Sequence, residues 1–172
     1  LGTFSALLRI AQIESGSRRS GFRTANLSEI ATRVAQSFAP TAEEQGRTLT
    51  TAIDPHVEIN GDRERITQLM ANLIDNAIRH TPTGATIHLC LSAGEKPVLE
   101  VSDNGPGIPA EEREKVFNRF YRREASRTTP GSGLGLTLAA AVAALHHATI
   151  ALLDNMPGLK VRVEFPKGAN GG

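Results

Sequence analysis

Apolar residues recur along the chain at two spacings, and the spacing assigns the elements. Over residues 63–79, Ile66, Leu69, Met70, Leu73, Ile74 and Ala77 fall on one side of a helix at about 100° per residue. Gln68, Asn72, Asp75, Asn76 and Arg79 fall on the other side. This is the strongest periodic signal in the chain, and Gly61-Asp62 offers a cap in front of it. A helix is also predicted from Asn26 or Ser28, with Ile30, Val34 and Phe38 at i, i+4 and i+8. Pro40 is expected to kink or restart it and Gly46 to end it. Leu1, Phe4, Leu8 and Ala11, widened by Leu7, Ile10 and Ile13, predict the end of a helix that packs on other helices. The stretch from Ser15 to Gly21 then reads as a linker.

Strands are predicted at Leu49–Ile53, Val57–Ile59, Thr86–Leu91 and Pro97–Ser102, and a hairpin at Thr149–Leu153 and Leu159–Phe165. The hairpin turns through Asn155-Met156-Pro157-Gly158. Val161, Val163 and Phe165 alternate with Lys160, Arg162 and Glu164, so one face of this strand is wet. A basic helix is expected over about 110–122, a loop to Pro130, and an Ala-rich helix over about 134–146. The pattern predicts an α+β fold, a two-layer sandwich with about five strands backed by about three helices on one side. The domain boundary falls in the linker, giving residues 1–21, a domain of 22–167 and a loose tail of 168–172.

Composition narrows the class. With 40% hydrophobic and 22% charged residues in 172, the chain can bury a core, which excludes disorder as its main state. Aromatic residues are only 4%, so that core must be built from Leu, Ile, Val and Ala. A net charge of +1 argues against a general nucleic-acid binder. One cysteine, Cys90, allows no internal disulfide and points to a reducing compartment. No apolar run approaches the roughly 18 residues of a membrane span, and no signal-peptide pattern opens the chain. Leu1 is not an initiator Met, so the chain is expected to be a piece of something longer. Charge is unevenly placed: residues 113–127 carry six Arg or Lys against two Glu, a local +4. That run is a solvated helix face or, with support nearby, an anion site.

Three segments supply candidate chemistry. Asn72 and Asn76 lie four apart on one helix face, although asparagine is a poor helix-interior residue. Their amide oxygens can ligate Mg²⁺, a hard cation commonly shared with phosphates; a polar helix surface is the plainer reading. Asp103-Asn104-Gly105-Pro106-Gly107-Ile108 follows a strand whose alternation puts Asp103 on the side of Leu99 and Val101. If that side is the core, an acceptor-only carboxylate sits at the rim of an apolar pocket and suits a donor such as an exocyclic amine. Gly105 and Gly107 would let the backbone pass close to a flat ligand, although Asn-Gly and Pro-Gly are also ordinary turn pairs. Gly131-Ser132-Gly133-Leu134-Gly135-Leu136 runs into a helix and exposes N–H groups suited to phosphate, just after the +4 segment. It matches neither the lysine-containing phosphate loop nor the dinucleotide motif.

In order and wording these segments resemble the ATP-binding catalytic domain of bacterial sensor histidine kinases, in the superfamily shared with gyrase, Hsp90 and MutL. The likeness covers about residues 26–166. Asn72–His80 resembles the family's N box, Asp103–Gly107 its first G box, Phe117–Arg122 its F box and Gly131–Leu136 its second G box. The resemblance implies a Bergerat-type ATP-binding fold with ATP and Mg²⁺ as cofactors. It implies that Asn76, assisted by Asn72, holds Mg²⁺, that Arg79 contacts phosphate beside His80, and that Asp103 accepts the adenine N6 amine. Gly105, Gly107 and Ile108 would line the base. Gly131, Ser132, Gly133, Leu134, Gly135 and Leu136 would shape the lid and phosphate loop, with Arg122 and Arg127 near the phosphates. Phe117 and Phe120 read as core-packing residues.

Hydrolytic relatives carry a Glu four residues before the metal-binding Asn, where it activates water as a base. Here that residue is Asn72, whose amide takes no proton near neutral pH, so transfer of the γ-phosphoryl is expected in place of hydrolysis. None of His56, His80, His88, His146 and His147 has the setting of a phosphoacceptor, so residues 1–15 are expected to be the end of a dimerisation hairpin whose acceptor His is missing. The implied partners are that dimerisation/phosphoacceptor domain, with a homodimer in the full-length protein, and a response-regulator receiver domain, with no nucleic acid. The implied setting is the cytoplasmic part of a bacterial inner-membrane sensor, joined to the membrane only through upstream segments. A nucleotide-binding module without transfer activity and an anti-sigma serine kinase are the alternatives. One departure stands out: after His146 the family usually has two glycines, and here His147 and Ala148 imply a different turn or an earlier strand.

Overall fold

The computed structural model describes residues 22–113 and 135–167. The predicted helix of residues 1–15, the linker, the basic helix beyond Arg113, the Gly131–Leu134 run and the tail lie outside these residues. Seven strands and three helices are described: β1 (Arg23–Asn26), α1 (Leu27–Glu44), β2 (Thr48–Ile53), β3 (Glu58–Gly61), α2 (Arg63–Arg79), β4 (Thr86–Ser92), β5 (Val98–Asp103), α3 (Gly135–Leu145), β6 (Thr149–Asp154) and β7 (Leu159–Glu164). A single 3-10 turn, Ala110–Glu112, opens the segment predicted as a basic helix.

Five strands form a mixed sheet in the order β2-β4-β5-β7-β6. β2 runs parallel to β4, and the other neighbours are antiparallel. The parallel pair needs a long crossover, which α2 supplies. Alternate residues of the central strands, Ile87, Leu89, Leu91, Leu99, Val101, Val161 and Val163, are buried, while Lys160, Arg162 and Glu164 stay at least partly exposed. One sheet face is therefore covered by the three helices and the other is wet, the two-layer α+β sandwich expected of a Bergerat-type fold. Sheet and helices share one core, led by Leu69, Met70, Leu73, Ile74, Ile87, Leu89 and Phe165.

The helices begin and end where their caps dictate. The Asn26 side chain accepts from Glu29 N–H at 3.0 Å to start α1. Asp62 accepts from Glu64 and Arg65 N–H to start α2. Pro40 does not restart the helix: α1 continues through it as one element to Glu44. Pro40 and Gln36, whose carbonyl loses its helical donor, are both exposed, so water can satisfy that carbonyl. Beyond the proline the last turn is pinned by buried Ala42 and closed by Gly46 N–H to Glu43 O at 2.9 Å and Arg47 N–H to Ala42 O at 2.8 Å.

Two further differences concern strands. β3 begins at Glu58 and not at Val57, whose carbonyl instead takes Leu27 N–H. β1 carries no strand pattern in its sequence; it forms by antiparallel pairing with β3 in a separate two-stranded sheet. The end of α3 also corrects an expectation. His147 stands at φ +57, the left-handed position glycine usually fills, and Ala148 N–H reaches Ala143 O at 2.8 Å. The backbone thus turns as it would with glycine, and β6 begins at Thr149.

Candidate functional site

The last residue of β5 carries the only carboxylate buried among the described residues. Asp103 is 8% exposed and lies on the core side with Leu99 and Val101, as strand alternation requires. Its Oδ1 accepts from Gly105 N–H at 2.9 Å and from Leu159 N–H at 3.3 Å. Both bonds fall on Oδ1, so Oδ2 has no donor among the described residues. Burial pushes the Asp103 carboxyl above its ordinary range, against the opposing pull of the Gly105 and Leu159 N–H groups. A carboxylate with one oxygen committed and one available, at the edge of an apolar face, is set up to accept from a ligand N–H.

The loop after Asp103 is fixed by protein contacts on every side. Asn104 Oδ1 accepts from Thr86 N–H at 2.8 Å, tying the loop to the start of β4. A Cβ on Gly105 would lie 2.9 Å from Thr81 Cγ2, and one on Gly107, at φ +75, would lie 2.8 Å from the Gly158 carbonyl oxygen. At both positions the missing side chain admits the protein's own packing. Ile108 packs half-buried against the core, and its carbonyl receives Arg113 Nε at 3.1 Å.

Helix α2 packs against β4 and β5 on the covered face, and Thr81, just past its end, lies against Gly105 in the loop after Asp103. Asn72 and Asn76 are one turn apart on α2 and half-buried, and neither side-chain amide is hydrogen-bonded to a described residue. Two oxygen donors at this spacing fit a hard cation such as Mg²⁺, which takes few protein ligands when phosphates supply the rest. Among the described residues, no group of three or more His, Cys, Asp or Glu could hold a metal. Arg79 Nε pairs with Asp75 Oδ2 at 2.8 Å on an exposed face, and His80 caps the helix. Thr81, buried beyond the cap, donates to Ala77 O at 2.8 Å and receives the Arg47 guanidinium on its carbonyl.

Gly135 opens α3 half-buried, whereas Leu136 is 7% exposed and belongs to the core. Arg122, Arg127, Gly131, Ser132, Gly133 and Leu134 lie outside the described residues. Sequence reasoning placed the β6–β7 turn but missed its contact with Asp103. Asn155 Nδ2 donates to the Asp103 carbonyl at 2.7 Å, and a Cβ on Gly158 would overlap that same oxygen. Turn residues such as Asn and Gly were visible, but their contact lies 52 residues away in sequence and no local pattern encodes it.

Comparison with known proteins identifies the family and the fold. A family model described as histidine kinase-, DNA gyrase B- and HSP90-like ATPase matches residues 61–169. Sensor histidine kinase TmoS of Ectopseudomonas mendocina is 32% identical over 96% of this chain, which spans only 18% of that relative. Among solved structures, the catalytic domain of histidine kinase ThkA is 27% identical, with a TM-score of 0.74 over 85% of this chain and 95% of that one. Full-length ShkA in complex with AMPPNP shares the fold, with a TM-score of 0.85 at 22% identity over 97% of this chain and 35% of its own. The chain spans less than half the length of the curated relatives it matches.

Proposed function

Because the chain belongs to the family of histidine kinase-, DNA gyrase B- and HSP90-like ATPases, we propose that it is the ATP-binding catalytic domain of a sensor histidine kinase. The observation that carries this reading is Asp103: a buried carboxylate with Oδ2 available at the rim of an apolar face. An ionised carboxylate accepts and never donates, so it selects a purine with an exocyclic amine over one with a carbonyl there. ShkA, of the same fold, is solved with an adenine nucleotide analogue, which supports ATP as the ligand.

Asn76 and Asn72 would hold Mg²⁺ through their amide oxygens, and the ion would supply positive charge to offset that of the phosphates. Arg79, released from Asp75, adds positive charge to the same end of α2. The basic residues Arg122 and Arg127 and the glycine run 131–135 would complete the phosphate side. Position 72 holds an amide and not a carboxylate, so no side chain there takes a proton from water. The domain keeps the γ-phosphoryl for an imidazole nitrogen of a phosphoacceptor domain: the bridging P–O bond breaks, an N–P bond forms, and ADP leaves. Phosphoryl transfer asks the protein chiefly for positioning and charge neutralisation. A receiver-domain Asp would be the onward acceptor. No helix among the described residues is long and apolar enough to cross a membrane, and the reading puts the domain on the ATP-bearing, cytoplasmic side of a bacterial sensor.

The test is transfer in trans. The chain is mixed with γ-labelled ATP, Mg²⁺ and a histidine-bearing dimerisation hairpin from a relative such as TmoS. Acid-labile label on the hairpin supports the reading. Steady release of phosphate without label on the hairpin would show a hydrolase and contradict it.

A further inference from the structure

The β6–β7 turn does more than join two strands. Along β5 and β7 the hydrogen-bonded pairs of an antiparallel ladder alternate. Phe165 N–H bonds the Pro97 carbonyl at 2.9 Å, so the register places Leu99–Val163 and Val101–Val161 in the same phase. Asp103–Leu159 would be the next such pair, with Leu159 N–H on the Asp103 carbonyl. The ladder stops one pair short, at Ser102–Lys160. Leu159 N–H goes instead to the Asp103 carboxylate, at 3.3 Å on Oδ1. The carbonyl left over is taken by Asn155 Nδ2 at 2.7 Å. Asn155 can reach it because its own N–H closes the turn on Gly158 O at 3.0 Å, and because Gly158, at φ +110, has no Cβ to overlap that carbonyl.

We propose that Asn155 is a positioning residue for nucleotide selection: its amide replaces the missing ladder bond and frees Leu159 N–H to orient the Asp103 carboxylate. The inference rests on the reading of Asp103 as acceptor of the adenine amine, and adds a residue that touches no ligand. Without the Asn155 amide, Leu159 N–H has two acceptors to choose between, and the ladder bond to the carbonyl is the ordinary one. The carboxylate then loses a donor and its fixed direction. The effect belongs to the amine-reading oxygen, so it falls on adenine nucleotides and spares hypoxanthine nucleotides, which lack the amine.

The experiment is calorimetric titration of the chain with ADP and with IDP, both with Mg²⁺, for wild type, Asn155→Ala and Asn155→Gln. The wild type should favour ADP. Asn155→Ala should lower the ADP/IDP affinity ratio about tenfold, the order of one hydrogen bond to a charged group, and Asn155→Gln should recover part of it. A purely structural role would weaken both nucleotides equally and leave the ratio unmoved, which would overturn the proposal. If Asn155→Ala does not fold, Asn155→Asp, of the same size but without the donor, reads the same ratio. A wild-type ratio near one would overturn the assignment of Asp103 and this proposal with it. A large wild-type ratio that the variants leave intact overturns only the role of Asn155.

Discussion

Asp103 is held in the folded chain at the expense of its charge, since burial raises its pKa more than two backbone donors lower it. Its contribution to stability is therefore full below the unfolded value and is lost as pH rises through the raised one. Asn keeps an oxygen for Gly105 and Leu159 and carries no charge, so Asp103→Asn should melt no lower than wild type at neutral pH. The same exchange turns the outward atom from acceptor to donor and should cost about 10- to 100-fold in affinity for an adenine nucleotide. Binding has the opposite pH sign from stability. The ligand amine needs the ionised carboxylate, so affinity should weaken on acidification, beginning above the ordinary aspartate range. Titrations of wild type from neutral pH down to the lowest pH at which it stays folded, at fixed ionic strength, would show this, and an affinity that does not fall on acidification would contradict it. Asp103 was legible in the sequence because strand alternation needs no tertiary information. Its brace by Asn155 was not, because a turn 52 residues away declares its partner only once β6 and β7 are laid down.

Among the elements, α2 and its neighbours show where local pattern suffices and where it does not. The apolar stripe of α2 and the Asp62 cap both follow from residue spacing. What seats the helix start is a residue on another element: the His146 ring accepts Asp62 N–H on Nε2 at 3.0 Å and reaches the Val142 carbonyl with Nδ1 at 2.9 Å. Phe22 stacks on that ring at 4.7 Å, and a Cβ on Gly61 would come within 2.8 Å of it. His146→Phe keeps a ring but leaves Asp62 N–H without its acceptor, and should destabilise by about 1–3 kcal/mol in urea denaturation. Its neighbour predicts the reverse. His147 adopts a left-handed φ of +57 at the end of α3, where a side chain is disfavoured by about 1 kcal/mol. His147→Gly should therefore stabilise the chain and raise its melting temperature by about 2–4 °C. Pro40 teaches a related lesson: a breaker is tolerated when the carbonyl it orphans faces water.

For the whole molecule, a mixed sheet with one covered face has a rim where the end of β5 meets the β6–β7 turn and the residue just past α2, Thr81. The layer order was readable from alternating strand and helix patterns, whereas β1 was not, since Arg-Thr-Ala-Asn becomes a strand only by pairing with β3. The chain alone should bind nucleotide without labelling itself. His146 is buried with both ring nitrogens engaged, and no acceptor setting surrounds the other histidines. Acid-labile label on the isolated chain after incubation with γ-labelled ATP would contradict that. The central claim, that Asp103 reads an adenine amine, has a direct measurement: calorimetric titration of Mg-ATP into wild type and Asp103→Asn at neutral pH. The account predicts one-to-one binding by the wild type and an affinity at least tenfold weaker in a variant that stays folded. Equal affinities in the two folded proteins would contradict it.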